Sequence, residues 1–335
     1  MTGMPTTTET PMLSRRHLLA ASAAAVALPA FAASPVHAAA PVSGKQGPAF
    51  YRFKIGDYEI TAINDGTWYR AIDDKFVRNA AFSDVQKALS DVFLPTDTLP
   101  IPFTALLVNT GSRLIALDTG TGGQMGSMAP QSGTFAANLA AAGIDPKAVD
   151  AIIISHFHPD HINGIKTKDN ALFFPNAEIN VPAPEWAFWM DDANMSKAPD
   201  AAKPAFLNAR RIFADIAKDV KRFEPGRDLA PGLTSIAAYG HTPGHTAFSI
   251  ASGNQSMLYL ADTTNNPWLF VRNPEWQAIF DMDGAMAADN RKRLLDRASA
   301  DKMLVHGYHF PFPASGYITK TATGYDLVPV MWAPM

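Results

Sequence analysis

Ser155-His156-Phe157-His158-Pro159-Asp160-His161 constrains this chain more than any other stretch. It gathers three imidazoles and a carboxylate in a 335-residue chain that holds nine His in all. His156 and His158 are two positions apart, so extended backbone sends both rings the same way. Pro159 then redirects the chain, and Asp160 and His161 face a second point close by. Imidazole and carboxylate are borderline-to-hard ligands suited to Zn²⁺, Mn²⁺, Fe²⁺ or Co²⁺. The chain has no Cys. That excludes disulfides, iron–sulfur clusters, thiolate zinc sites and a Cys nucleophile. Any metal has to be held by His and carboxylates.

The motif directly follows Val149–Ile154, apolar except for Asp150, which predicts a strand buried on both faces. Other segments read as strands and helices around it. Phe50–Asn64 alternates as strands do, with a turn at Gly56-Asp57 and a second turn signal at Asp65-Gly66. Ser83–Ser90 reads as a short helix with Ser83 as its N-cap. Phe103–Asn109 and Leu114–Asp118 form a hairpin around Gly111, followed by a glycine-rich loop from Gly120 to Gly133. Helices are expected at Thr134–Ala142, Pro184–Asp191, Ala201–Lys221 and Ala287–Ala300, with a short helical turn at Asp145-Pro146. Further strands are expected at Glu178–Val181, Leu233–Tyr239, Thr246–Ser252 and Met257–Leu260, the last two joined by a Gly253-Asn254 turn. No repeat and no linker divides the chain, which reads as α/β sheets flanked by helices.

Residues 1–38 read as an address. Ser14-Arg15-Arg16-His17-Leu18-Leu19 opens an Ala-rich apolar run to about Ala33, the layout of a secretory signal. The paired arginines resemble a twin-arginine signal and imply the twin-arginine export machinery as a partner. Cleavage is expected after Ala32 or Ala38; the latter would leave a mature domain, 39–335, that is periplasmic or secreted. The alternative is an uncleaved anchor, but the run is short for a span and Pro29 interrupts it. No later stretch suffices for a stable membrane span. A formal net charge of −3 gives no reason to expect a nucleic-acid partner.

Further motifs share the chemistry of the first. They are Leu117-Asp118-Thr119-Gly120, Gly143-Ile144-Asp145-Pro146, Gly240-His241-Thr242-Pro243-Gly244-His245-Thr246, Tyr259-Leu260-Ala261-Asp262-Thr263, and a late His. With the H-x-H-x-D-H run, their order and spacing resemble the metallo-β-lactamase superfamily from about Phe53 to Pro313. The resemblance implies an αββα sandwich with a dinuclear metal site at one edge of the sheets. The export signal and Gly307-Tyr308-His309-Phe310-Pro311-Phe312-Pro313 look most like the methyl parathion hydrolase group, which also includes lactonases.

Carried over by position, the resemblance implies that His156, His158 and His241 hold one divalent metal ion. Asp160, His161 and His309 would hold a second, and Asp262 would bridge the two beside a solvent-derived hydroxide. Zinc is expected, with Mn²⁺, Fe²⁺ or Co²⁺ as alternatives. Asp160 and Asp262 are thereby expected to act in catalysis. His241 is preferred over His245 as the first His of its run, and His309 over His306 because it precedes the Phe-Pro-Phe-Pro segment. His245 and His306 become supporting or packing residues. Asp118 is expected to orient a ligand through a hydrogen bond; a direct ligand or a turn cap are the alternatives.

Two adjacent cations make hydrolysis the expected chemistry. No G-x-S-x-G elbow, P-loop or dinucleotide fingerprint is present. Ser127 and Ser132 lie in the glycine-rich loop, read as a pocket rim. Trp186, Phe188, Trp189, Trp268, Phe270, Trp276, Phe280, Phe103, Phe310 and Phe312 lie near the ligand segments. As a group they favour a small hydrophobic substrate, an ester such as a phosphotriester (methyl parathion) or a lactone. Lys166 and Lys168 are expected on a solvated face, and Arg291-Lys292-Arg293 on the outside of the last helix. The competing readings are a mononuclear iron sulfur-oxygenase of the same fold, a β-lactamase, and a non-catalytic metal-binding protein. A homodimer is compatible with every one of them.

Overall fold

The computed structural model describes residues 42–335, so the expected export signal, residues 1–38, lies outside the described residues. The first sheet runs in chain order through seven strands: β1 (Phe50–Ile55), β2 (Tyr58–Ala71), β3 (Thr98–Asn109), β4 (Leu114–Leu117), β5 (Ala151–Ile153), β6 (Glu178–Pro182) and β7 (Val220–Phe223). It is antiparallel up to β4 and parallel from β4 to β7. The second sheet holds β8 (Asp228–Ala230), β9 (Leu233–Ala237), β10 (Thr246–Ser252), β11 (Gln255–Ala261), β12 (Leu304–Gly307), β13 (Ser315–Lys320) and β14 (Tyr325–Pro329). There only the β11–β12 pair is parallel.

Strand alternation builds the layers. In β11, Met257, Tyr259 and Ala261 enter the main core, which also holds Leu107 and Ile115 of the first sheet. Leu258 and Leu260, between them, enter a second core with Leu294, Leu295 and Ala298. Those three lie on the terminal helix, Gly284–Ala300, so this sheet packs on its partner sheet with one face and on a helix with the other. The remaining helices are α1 (Phe82–Ser90), α2 (Phe135–Ala141), α3 (Pro159–Ile162), α4 (Ala183–Trp189), α5 (Asp192–Lys197) and α6 (Lys203–Phe213), which makes the terminal helix α7. This is the αββα sandwich that the sequence resemblance implies.

Several local expectations are corrected. Asp65-Gly66 is a bulge inside β2, not a turn. The bulge sends the Asp65 carboxylate inward, where it accepts from Thr121 N (2.6 Å), Thr121 Oγ1 (2.7 Å) and Phe135 N at the start of α2. Helix α1 starts one residue early, with Ala81 at the N-cap and no side-chain cap, so Ser83 does not cap it. Strand β3 begins at Thr98, because Pro100 and Pro102 fit opposite Tyr69 and Thr67. The helix expected to reach Lys221 stops at Phe213, and Val220–Phe223 pairs parallel with β6. An open strand edge, absent from any local pattern, wins there. Lys166 is 1% exposed rather than solvated. Its stem is buried while its ammonium reaches the surface carboxylate of Asp215. Lys168 is exposed as expected. No helix among the described residues is long and apolar enough to cross a membrane.

Candidate metal centre

The candidate ligands all follow the C-terminal ends of strands. His156, His158, Asp160 and His161 follow β5, His241 follows β9, Asp262 follows β11, and His309 follows β12. The turns there are tightly specified. Ala261, with φ 45°, turns the chain out of β11 so that Asp262 leaves the strand direction. Gly240 has φ 119°, and a Cβ there would meet the backbone of Ala287. A Cβ on Gly244 would meet the backbone nitrogen of Glu185. The glycines of the Gly240–His245 run are thus required by close packing against α7 and α4.

Two groups of ligand atoms result, each gathered within 4.8 Å: His156, His158, His241 and Asp262, and then Asp160, His161 and His309. His158 Nδ1 lies 3.0 Å from both His156 Nε2 and His241 Nε2. Nitrogens about 2.0–2.1 Å from a tetrahedral zinc are about 3.3 Å apart, so this triangle is nearly of metal-site size. Asp262 touches both groups. Its Oδ2 is 2.9 Å from His309 Nε2 and 3.3 Å from His241 Nε2, while its Oδ1 is 3.3 Å from His161 Nε2. Asp160 Oδ2 lies 3.3 Å from His161 Nε2 and 3.6 Å from His309 Nε2.

The far nitrogens of the rings are anchored. His161 Nδ1 donates to Asp118 Oδ2 at 2.9 Å, His241 Nδ1 to Asp281 Oδ1 at 3.0 Å, and His309 Nδ1 to the Pro102 carbonyl at 2.9 Å. His156 Nδ1 donates to Ser155 Oγ at 3.0 Å, which in turn donates to Asp118 at 2.8 Å. Each such bond fixes a tautomer and frees the opposite lone pair for a cation. Asp118, at φ 60°, also accepts from Ser155 N and from Tyr259 OH at 2.7 Å. It therefore orients His161 and does not enter either group.

His245 and His306 point elsewhere. His245 Nδ1 donates to the Ala238 carbonyl, and its Nε2 accepts the backbone N–H of Asp262, both at 3.0 Å. Burial, helped by the neighbouring His241, pushes its pKa down to about 3, so it stays a neutral acceptor. His306 bonds the Thr104 carbonyl and Ser315 Oγ at 2.9 Å and stacks on Tyr259 with an 8° interplanar angle.

Two supports carried no recognisable sequence signal. Asp281 anchors His241 and itself meets Arg291 Nη2 at 3.3 Å. Arg291 is 1% exposed, which corrects its expected outward position. It points inward because it closes the loop after Asp262, donating to the carbonyls of Thr263, Pro274 and Trp276. A charge run on a helix does not reveal which member faces in.

The charge balance of the cluster fits cations. Asp118, Asp160, Asp262 and Asp281 surround it, and Arg291 is the one guanidinium or ammonium paired with any of them among the described residues. Buried negative charge without compensation is costly. His161 Nε2 and Asp262 Oδ1 face each other as buried atoms with no hydrogen-bond partner. Burial pushes His158 down to about 3 and His156 well below the usual range, which leaves both neutral. Against burial, Asp262 and Asp281 raise His241 to about 9, and Asp160, Asp262 and Asp118 raise His161. Positive charge is thus drawn to the space between these rings and acids.

The cluster opens into a cleft with Trp68, Ile101, Phe103, Met125 and Phe280 on its walls. Phe188, Trp189 and Phe206 line a second groove that meets it at His158. Of the aromatics singled out in the sequence, Phe103, Phe280, Phe188 and Trp189 therefore lie beside the site. Trp186, Phe270, Trp276 and Phe310 pack into the cores, and Phe312 is 40% exposed. Trp68 and Ile101 went unnoticed because they sit in ordinary strand patterns; Met125 lies in the loop expected to form a rim. Asn265 also lines the cleft. Its Oδ1 accepts from Asn266 N at 2.9 Å.

A family model described as the metallo-beta-lactamase superfamily matches residues 102–307, more than half of the chain. The protein belongs to that superfamily. Two solved structures are notably similar. One is AidC, a dizinc quorum-quenching lactonase in complex with a product: 28% identity, TM-score 0.79, covering 85% of this chain and 99% of that one. The other is the hydrolase AbOPH in the beta lactamase superfamily: 27% identity, TM-score 0.79, covering 87% and 100%. A probable metal-dependent hydrolase from Staphylococcus aureus shares the fold, at 19% identity and TM-score 0.69, covering 84% and 100%. No curated protein sequence matches the chain.

Proposed function

We propose that this chain is an exported dinuclear metal-dependent hydrolase of hydrophobic lactones, with phosphotriesters as the second substrate class. One observation carries the reading: seven side chains close on two adjacent points and share Asp262 between them. His156, His158 and His241 would hold one ion, Asp160, His161 and His309 the other, and Asp262 both. Two divalent ions, zinc first, supply Lewis acidity and a nucleophilic oxygen at neutral pH.

The chain's own residues do the rest. Trp68, Phe103 and Phe280 take up the apolar part of the substrate and exclude water. Asn265, on the cleft wall, would offer its side-chain amide to the oxygen on which charge develops. Asp160, beside His161 and His309, completes the second ligand group as a carboxylate. The likeness to a dizinc lactonase supports lactones as the first class. The resemblance of the Gly307–Pro313 segment to the methyl parathion hydrolase group supports the second. A one-iron oxygenase would leave Asp160, His161 and His309 with no ion to hold.

The test is elemental analysis of the mature protein, then assays with a long-chain acyl lactone, a phosphotriester, an aryl ester and a β-lactam. Two zinc ions per chain and fastest turnover of the lactone are expected. One iron with oxygen consumption, or no turnover of any of the four, overturns the reading. Export is tested by cell fractionation after replacing Arg15 and Arg16 with Lys, which should retain the precursor in the cytoplasm.

A further inference from the structure

Glu185, in α4, is 0% exposed, yet no Lys or Arg pairs with it among the described residues. Its carboxylate is filled by donors from three separate segments. Oε1 accepts from Gly244 N at 2.7 Å. Oε2 accepts from Phe157 N at 3.0 Å and from Trp189 Nε1 at 2.7 Å. Phe157 stands between His156 and His158, and Gly244 lies in the turn that carries His241 and His245. Trp189 lines the apolar groove, with its ring 6.3 Å from that of His158. Burial pushes the Glu185 carboxyl up, and the neighbouring Thr242 hydroxyl together with these N–H donors pulls it back.

We infer that Glu185 is a positioning residue that ties the two ligand-bearing turns of the three-His group into one rigid unit and fixes the groove indole against it. Those turns leave different sheets, β5 in the first and β9 in the second. Among the contacts of Glu185, none reaches Asp160, His161 or His309. A carboxylate is the side chain that suits three converging N–H donors, because it accepts only. An amide there would turn an N–H against one of them, releasing a ligand turn while keeping the volume.

The inference rests on the two-ion reading and predicts an asymmetry within it. Metal-free Glu185→Gln is titrated with zinc against a chromophoric chelator. The titration is done in a His309→Ala background, where the three-His group alone is complete, and in a His241→Ala background, where the other alone is complete. In the first, zinc affinity should fall ~10- to 100-fold; in the second it should be unchanged. Equal affinities in both backgrounds overturn the inference. So does an equal fall in both accompanied by a lower thermal midpoint of the metal-free protein, since Glu185 would then serve general stability. If Glu185→Gln does not fold, Glu185→Asp, one methylene short, is measured the same way; failure of both to fold also overturns it. Wild type that binds fewer than two zinc ions would sink the two-ion reading itself, a separate failure.

Discussion

The two ligand groups share one carboxylate but are built differently. The first is three imidazoles plus Asp262, and two of its rings are backed by acids: His241 by Asp281 directly, and His156 by Asp118 through Ser155. The second pairs His161 and His309 with Asp160, and its supports are Asp118 and the neutral carbonyl of Pro102. More nitrogen makes the first group the softer, more zinc-selective one. More oxygen makes the second tolerant of Mn²⁺ or Fe²⁺. On the proposed reading, the two ions would be held with unequal grip, and the ion at the second group would be the one to exchange first.

The largest effect should come from breaking what the groups share. Asp262→Ala should cut activity by ~10³-fold or more and release metal from both groups. Retained metal with a near-normal rate would reject a bridging role. Next, His241→Ala should empty the first group alone, whereas His245→Ala, which removes the acceptor for Asp262 N–H and the donor to the Ala238 carbonyl, should cost ~10- to 100-fold in kcat with metal retained. The reverse order would exchange their roles. Asp281→Asn should lower zinc affinity of the first group ~10- to 100-fold and leave the second unchanged, read by the same chelator titration. Asn265→Ala should lower kcat about tenfold with both ions bound and KM little altered; metal loss would instead make Asn265 structural.

The last effect lies away from both groups and is read on stability, with none expected on activity. Burial holds the His306 pKa down to about 4 against 6.5 for a free His, so the folded state takes up its proton later than the unfolded state as pH falls. The stability tied to the neutral ring is complete above pH 6.5 and is lost progressively as pH falls toward 4, by up to about 3 kcal/mol. His306→Gln should flatten the fall of chemical-denaturation stability across that window. An unchanged slope would mean the ring is not held neutral.

How much of this was legible follows from the range of each interaction. His156 to His161 could be read as a metal motif because four ligands lie within one short segment. The strands β5, β9, β10 and β11 were legible because burial on one or two faces leaves a local pattern. The edge strands β7, β8 and β14 and the interior strands β12 and β13 left no such pattern, because their partners come from other segments of the chain. Asp281, Arg291 and Glu185 are an ordinary acid, a member of a surface-looking charge run, and an acid beside two Trp. Nothing local separates them from solvated residues.

By itself, the sequence determined the chemistry on offer: imidazoles and carboxylates, no thiolate, and a backbone pattern of alternating sheets and helices. The tertiary structure decided which imidazoles meet, that Asp262 reaches both groups, and that Arg291 and Lys166 turn inward. The division has a physical cause. Ligand type and strand periodicity are properties of neighbours along the chain, whereas charge compensation and close packing are settled between segments that meet only after the two sheets have closed on each other.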